Sequence, residues 1–227
     1  MSFVPTDFVG ISLFSGGIVM SDMAKEKGNK KGFFTTRNIV SCAMLAACAT
    51  ILTYIEFPTF IAPSFYRFNI SDLPALIGAF SMGPLAGVII ELVRSLIMLF
   101  VNPMNPSMGI GELSNFLLGC IFVVPASLIY RRNKTKGRAI VALLVGGLSM
   151  SVLATFLNAF VMIPLYTKIM SIEEILSQVP EFLPFVDTVF ELCLVCVLPF
   201  NLIKAFVVSF ITIFIYKPLS VLIKGLN

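Results

Sequence analysis

From about residue 37 onward, long runs of apolar residues alternate with short polar segments. Most of the runs approach the ~20 apolar residues that an α-helix needs to cross the hydrocarbon core of a bilayer. A helix satisfies its backbone hydrogen bonds internally, so it is the expected structure for such runs in lipid. The pattern predicts helices at residues 39–57, 72–82, 85–101, 109–130, 139–166 and 189–216.

The segment 72–101 carries Gly83-Pro84 near its middle, so it is either one kinked helix or two helices. Lys and Arg are enriched in cytoplasmic loops, and this bias separates the two possibilities. Two helices give six spans with 12 Lys and Arg residues inside and two outside, whereas one helix gives six and eight. We therefore predict a compact all-α bundle of six transmembrane helices with both termini cytoplasmic. Helix 72–82 is short for a span and must tilt, start earlier or end inside the protein.

The same pattern divides the chain into three regions. Residues 1–37 contain the basic stretch at 25–31 and no apolar run long enough to span, which indicates a flexible cytoplasmic segment. Residues 38–220 form the predicted six-helix domain, and residues 221–227 form a cytoplasmic tail.

Composition supports a multi-pass protein of the plasma membrane. Hydrophobic residues make up 58% of the 227 residues and charged residues 12%, whereas soluble domains average about 25% charged. A soluble enzyme and a nucleic-acid-binding domain are therefore excluded. The net charge of +4 is explained by membrane topology, so we expect contact with the lipid bilayer and none with nucleic acid.

Missing residues and motifs narrow the chemistry further. The chain has no His, which excludes His-ligated zinc sites and Ser-His-Asp triads. It also has no P-loop motif for ATP phosphates. Cys193 and Cys196 form a C-x-x-C that is interpreted as packing on a membrane helix, with a redox or metal site as the alternative. We predict no catalytic residue, no metal site and no cofactor.

Three polar side chains lie in apolar surroundings within predicted helices: Asn158, Asn201 and Lys204. Polar groups inside a membrane are costly and usually face protein or a cavity. No acid lies within a turn of Lys204, so its ammonium needs a distant partner or a polar ligand. For Asn158, interhelical hydrogen bonding is the alternative. All three lie in the outer halves of their helices, which predicts an outward-facing pocket where a polar, uncharged guest satisfies otherwise uncompensated groups.

Further candidates lie at the predicted outer ends of the helices. Glu112 and Asn115 open the fourth span, where an acid also interacts favourably with the helix dipole. The loop 58–70 contains several aromatic residues, including Tyr66 and Phe68. Such residues form either an interfacial belt or a lid that stacks on a flat ligand.

A charged pair, Glu91 and Arg94, is spaced to interact across one turn of the third helix. The pair is interpreted as self-neutralising, with a lining or partner-docking role as the alternative. On the first helix, Ala43 and Ala47 are small residues four apart, a spacing that allows close approach of another helix. This face packs either inside the bundle or against a partner.

Several motifs together resemble one family of membrane proteins. An aromatic first outer loop accompanies the segments Ala43-Met-Leu-Ala-Ala47, Ser71-Asp-Leu-Pro74, Gly83-Pro84, Gly111-Glu-Leu-Ser-Asn-Phe116 and Pro199-Phe-Asn-Leu-Ile-Lys204. In these segments the chain resembles the substrate-binding S components of energy-coupling factor (ECF) transporters, and among them the riboflavin-specific type. The likeness covers about residues 37–220.

The resemblance implies uptake of riboflavin without chemistry. An S component binds the vitamin from outside and engages a transmembrane coupling protein that carries two cytoplasmic ATPase subunits. By resemblance, Ala43 and Ala47 dock on the coupling protein. The flavin-binding residues would be Asn158, Asn201 and Lys204, together with Glu112 and Asn115, beneath an outer loop that includes Tyr66 and Phe68. The alternatives are an S component for another B vitamin and a membrane enzyme that acts on lipid through Glu91 and Arg94.

Overall fold

The computed structural model describes residues 35–57, 68–101, 109–168, 171–177 and 188–224. These ranges are helical apart from turns and an isolated antiparallel bridge between Phe57 and Phe68. The helices are α1 Thr36–Tyr54, α2 Asp72–Met82, α3 Pro84–Val101, α4 Ile110–Arg132, α5 Lys136–Tyr166, α6 Ile172–Ser177 and α7 at 189–224. The chain divides into a short unit, Met1–Ile39, and a main unit, Val40–Asn227. The contacts given below lie within the main unit.

Five helices in the described ranges are long and apolar enough to cross a membrane: α1, α3, α4, α5 and the apolar part of α7. The predicted all-α membrane class is therefore confirmed, and the predicted helix ends are correct to within three residues at most positions. One difference is α7, which continues to Lys224 instead of ending at residue 216. A second is the short helix α6, which lies between residues 166 and 189, where no helix was predicted.

Residues 72–101 form two helices that pack side by side. The break lies at Gly83, whose φ of 116° is a backbone conformation that L side chains rarely adopt. A Cβ built at Gly78 would lie 2.3 Å from Ile90 Cδ1, and one at Gly87 would lie 2.9 Å from Ala79 Cβ. Because residues before the break contact residues after it in reverse order, the chain doubles back. The interpretation as one kinked helix is excluded.

An aromatic cluster joins α2, α4 and α7 at the end of α2 opposite Asp72. Phe80 stacks on Tyr130 with ring centroids 4.4 Å apart, and Tyr216 meets both rings edge-on. The hydroxyl groups of Tyr130 and Tyr216 are 2.9 Å apart and hydrogen-bond to each other. A hydroxyl buried among aromatic rings needs such a partner, so the pairing fixes how these helices meet.

The other end of the bundle is packed by α5, α6 and α7. A buried apolar cluster combines residues from all three helices: Ala154, Ile163, Ile175, Leu192, Cys193 and Val197. The cysteine pair of the C-x-x-C motif is buried here and in the adjoining Cys196–Phe200 cluster. The interpretation of these cysteines as packing residues agrees with this environment.

Candidate ligand-binding site

Four buried charged side chains meet where α2, α3 and α7 come together. Asp72 is the first residue of α2, and its Oδ2 lies 2.8 Å from the Nζ of Lys204 on α7. Its Oδ1 lies 3.2 Å from Nη1 of Arg94 on α3. Nη2 of Arg94 lies 2.7 Å from Oε2 of Glu91, one turn earlier on α3. These four residues are called the charge cluster below.

Burying an isolated ion costs several kcal/mol, so buried charges persist when an opposite charge faces them. In the charge cluster two acids face two bases, and the formal charges cancel. The predicted Glu91–Arg94 pair is confirmed. Of the two alternatives for the Lys204 ammonium, a distant partner or a polar ligand, the structure supplies the partner, which is Asp72. Asp72 received no role from the sequence, although the Ser71-Asp-Leu-Pro74 segment stood out.

The charge cluster also holds residues 68–71, the segment directly before α2. Arg94 Nη1 donates a hydrogen bond to Ser71 Oγ. Ser71 Oγ in turn donates a 2.8 Å hydrogen bond to the side-chain oxygen of Asn69. Upstream, Phe68 and Phe57 exchange two backbone hydrogen bonds of 2.9 and 3.2 Å. Residues 68–71 are therefore fixed by both backbone and side-chain contacts.

Helix α4 contributes Glu112 and Asn115, which are both partly buried. Asn115 lies one turn before Gly119, and Gly119 packs directly on the Glu91 carboxylate. Glu112 lies close enough to Arg94 for their charges to interact. Both predicted residues therefore lie beside the charge cluster, on the α4 side, and their role in binding stays a prediction.

Asn158 and Asn201 are both buried and both bonded to their own helices. The amide nitrogen of each donates a 2.8 Å hydrogen bond to the carbonyl oxygen four residues earlier, that of Ala154 or Val197. Ala154 and Val197 belong to the same buried cluster, so the two amides lie at a shared contact of α5 and α7. Each of these hydrogen bonds uses one of the two N–H donors of the amide.

Each asparagine adjoins a π-helical turn, at Asn158–Met162 in α5 and at Cys193–Val197 in α7. Such turns are rare and occur frequently at functional sites. Here they widen two helices that pack against each other. Sequence reasoning missed both turns, because residue type and spacing do not distinguish them from ordinary helix.

Phe68 lies against α7 beside the polar residues. Its ring meets Phe200 edge-on, with centroids 6.5 Å apart, and packs on the buried Cys196–Phe200 cluster. Phe200 directly precedes Asn201 and is one turn before Lys204. Phe68 thus lies against the part of α7 that carries Asn201 and Lys204. Tyr66 lies outside the described residues.

The two alanines of α1 face outward. Ala43 and Ala47 are exposed, whereas Ala46 and Ala49 on the same helix are buried. Internal packing therefore uses the Ala46 side of the helix. The surface around Ala43 and Ala47 remains open to lipid or to another protein.

Comparison with known proteins places this arrangement in a family. Residues 37–216 match the family described as "ECF transporter, substrate-specific component". The chain belongs to this family, whose members are transporter components and not enzymes. It is accordingly a multi-pass protein of the plasma membrane.

Individual relatives are similar over most of their lengths. The chain is 30% identical to the riboflavin transporter RibU of Staphylococcus aureus, covering 83% of this chain and 93% of that protein. It is 28% identical to the riboflavin transporter FmnP of Bacillus subtilis, covering 81% and 92%. A solved structure described as the S component of a bacterial ECF transporter matches with a TM-score of 0.64 and 29% identity, covering 83% of this chain and 98% of that chain.

Proposed function

We propose that this protein is the riboflavin-binding S component of an ECF transporter and takes up the vitamin without chemical change. The observation that carries the proposal is the near full-length similarity to proteins named riboflavin transporters. The residues of the site agree with it, because two buried amides and a buried ammonium lie on α5 and α7, and the Phe68 ring packs on α7.

These groups suit the chemistry of riboflavin. The vitamin has a flat ring system with donors and acceptors along its pyrimidine edge, and a neutral ribityl chain. Side-chain amides such as those of Asn158 and Asn201 can supply donors and acceptors, Lys204 supplies donors, and Phe68 supplies an aromatic surface.

The proposed topology has six spans with both termini in the cytoplasm, and α2 as a short span. The bias of Lys and Arg supports this arrangement. The proposed partners are a transmembrane coupling protein and two ATPase subunits. The exposed positions of Ala43 and Ala47 support α1 as the docking helix, because small residues permit close helix approach.

Two other functions make different predictions. An S component for another B vitamin would have the same fold and a different ligand. A membrane enzyme using Glu91 and Arg94 is disfavoured by the family and by the burial of both residues in ion pairs.

A thermal-shift panel tests the proposal. The protein is purified in detergent and heated alone or with riboflavin, thiamine, biotin or pantothenate. A ligand at 100 times its dissociation constant stabilises the folded state by about 2.7 kcal/mol. Of these vitamins, we expect only riboflavin to raise the melting temperature of the protein. A shift with another vitamin would support the first alternative, and no shift with any vitamin would contradict vitamin binding.

A further inference from the structure

Asp72 is the residue through which the outer loop, the charge cluster and Lys204 are joined. We propose that Asp72 is a positioning residue for ligand binding, which holds the Lys204 ammonium towards the site and fixes the end of the outer loop on α7. This inference rests on the proposed function, because Lys204 is taken as a ligand contact. Asp72 itself is not proposed to touch the ligand.

The first step is the contact with Lys204. A lysine side chain has many rotamers, and ordering it upon ligand binding has an entropic cost. The 2.8 Å contact between Asp72 Oδ2 and Lys204 Nζ orders the ammonium beforehand. An ammonium has three N–H donors, so one engaged with Asp72 leaves two for a guest.

The second step is that Asp72 is itself immobile. Its Oδ1 contacts Arg94, and Arg94 is held in turn by Ser71 and Glu91. Asp72 and Glu91 are among the most buried polar residues in the described ranges. A carboxylate fixed on one side by a guanidinium presents its other oxygen in one direction, and Lys204 must follow that direction.

The third step links Asp72 to the outer loop. The segment from Phe68 to Asp72 contacts α7 at both ends, through Phe68 on Phe200 and through Asp72 on Lys204. Phe200 and Lys204 are four residues apart, so they lie on one face of α7. The end of the loop thereby contacts a single turn of α7, the helix that carries Asn201. Loss of the Asp72–Lys204 contact should weaken the attachment of the loop to α7 and speed the release of ligand.

The experiment is a double-mutant cycle on riboflavin binding. Asp72→Asn removes the charge at nearly constant shape, and Lys204→Met removes the ammonium. The dissociation constant is measured by quenching of riboflavin fluorescence. The release rate is measured by a chase of bound, labelled riboflavin with unlabelled riboflavin. We expect Asp72→Asn to raise the dissociation constant about tenfold, mainly through faster release. In the Lys204→Met background, Asp72→Asn should add less than about a twofold effect, because residues that act together are not additive.

Two further variants keep the test decisive. Glu191→Gln is the matched control, since it also converts a carboxylate near the start of a helix into an amide, and Glu191 bonds Thr188 outside the charge cluster; its dissociation constant should stay within about twofold of wild type. If Asp72→Asn does not fold, Asp72→Glu replaces it. This variant keeps the charge but displaces the carboxylate by one methylene, and it should still weaken binding.

The outcomes separate the inference from the function. Unchanged affinity in the Asp72 variants, alongside weakened binding in Lys204→Met, would overturn the inference and leave the proposed function standing. Equal effects of Asp72→Asn with and without Lys204 would also overturn it, because Asp72 would then act through the fold. If wild-type protein does not bind riboflavin, the proposed function fails and the inference fails with it.

Discussion

Gly119 lies directly against the carboxylate of Glu91. A Cβ at residue 119 would lie 2.7 Å from both Cδ and Oε2 of Glu91, closer than real Cβ contacts allow. Helix α4 therefore closes one side of the charge cluster with a residue that has no side chain. Asn115, a proposed ligand contact, lies one turn earlier on α4.

Gly119→Ala is expected to destabilise the protein. The added methyl group must displace a carboxylate that forms a 2.7 Å ion pair with Arg94, and such overpacking typically costs about 1–3 kcal/mol. Unfolding in detergent, followed by circular dichroism, measures the loss. Gly137→Ala is the control, because no atom lies within 4 Å of a Cβ at that position. Equal stability of the two variants would show that the contact does not matter.

Asn201→Ala is expected to weaken riboflavin binding by about ten- to a hundredfold, since an unsatisfied buried group costs about 1–3 kcal/mol. Thr212→Val is the matched control. Thr212 is also buried on α7 and also bonds a carbonyl four residues earlier, that of Val208, at 2.7 Å. If Asn201 served only to form a hydrogen bond within its own helix, the two variants would have the same affinity for riboflavin. Fluorescence titration of both decides whether the amide contacts the ligand, and equal affinities would remove Asn201 from the site.

Ala43→Trp and Ala47→Trp are expected to preserve riboflavin binding and abolish uptake. Both positions are exposed, so the bundle can accept a large side chain there, whereas a docked helix cannot. Uptake of labelled riboflavin by cells that contain the coupling protein and ATPases measures the effect. Leu148→Trp provides the comparison, because Leu148 is also exposed, on α5. Normal uptake in the Ala43 and Ala47 variants would place docking elsewhere.

Tyr130→Phe is expected to destabilise the protein by about 1–3 kcal/mol, because the Tyr216 hydroxyl is left buried without its partner. The double variant Tyr130→Phe/Tyr216→Phe removes both hydroxyls and should be more stable than the single one. Thermal unfolding of the three proteins provides the measurement. Additive losses would indicate that the two hydroxyls contribute separately. Riboflavin affinity should not change, since the aromatic cluster lies at the far end of α2 from Asp72.

Much of the fold could be predicted because each membrane helix is recorded locally in the sequence. A run of apolar residues marks its extent, and Gly83-Pro84 marks the reversal between α2 and α3. The Glu91–Arg94 pair was likewise predictable, because both residues lie on one helix at a spacing that brings them together. The outward direction of Ala43 was left open, since the identity of small residues does not reveal which side of a helix faces the bundle.

The partner of Lys204 could not be predicted in the same way. Asp72 lies on another helix, and hydrophobic pattern does not specify which helices become neighbours. The sequence therefore left two alternatives for the ammonium, a distant partner or a polar ligand. The structure supplies the partner. Asp72 neutralises the ammonium before any ligand binds, and Lys204 offers a ligand only its remaining N–H donors.

The absorption spectrum of the protein, purified from cells grown with riboflavin and washed free of unbound vitamin, tests the central claim most directly. The account predicts the visible absorption bands of a flavin at close to one flavin per protein chain. A colourless protein that also fails to quench added riboflavin would contradict it.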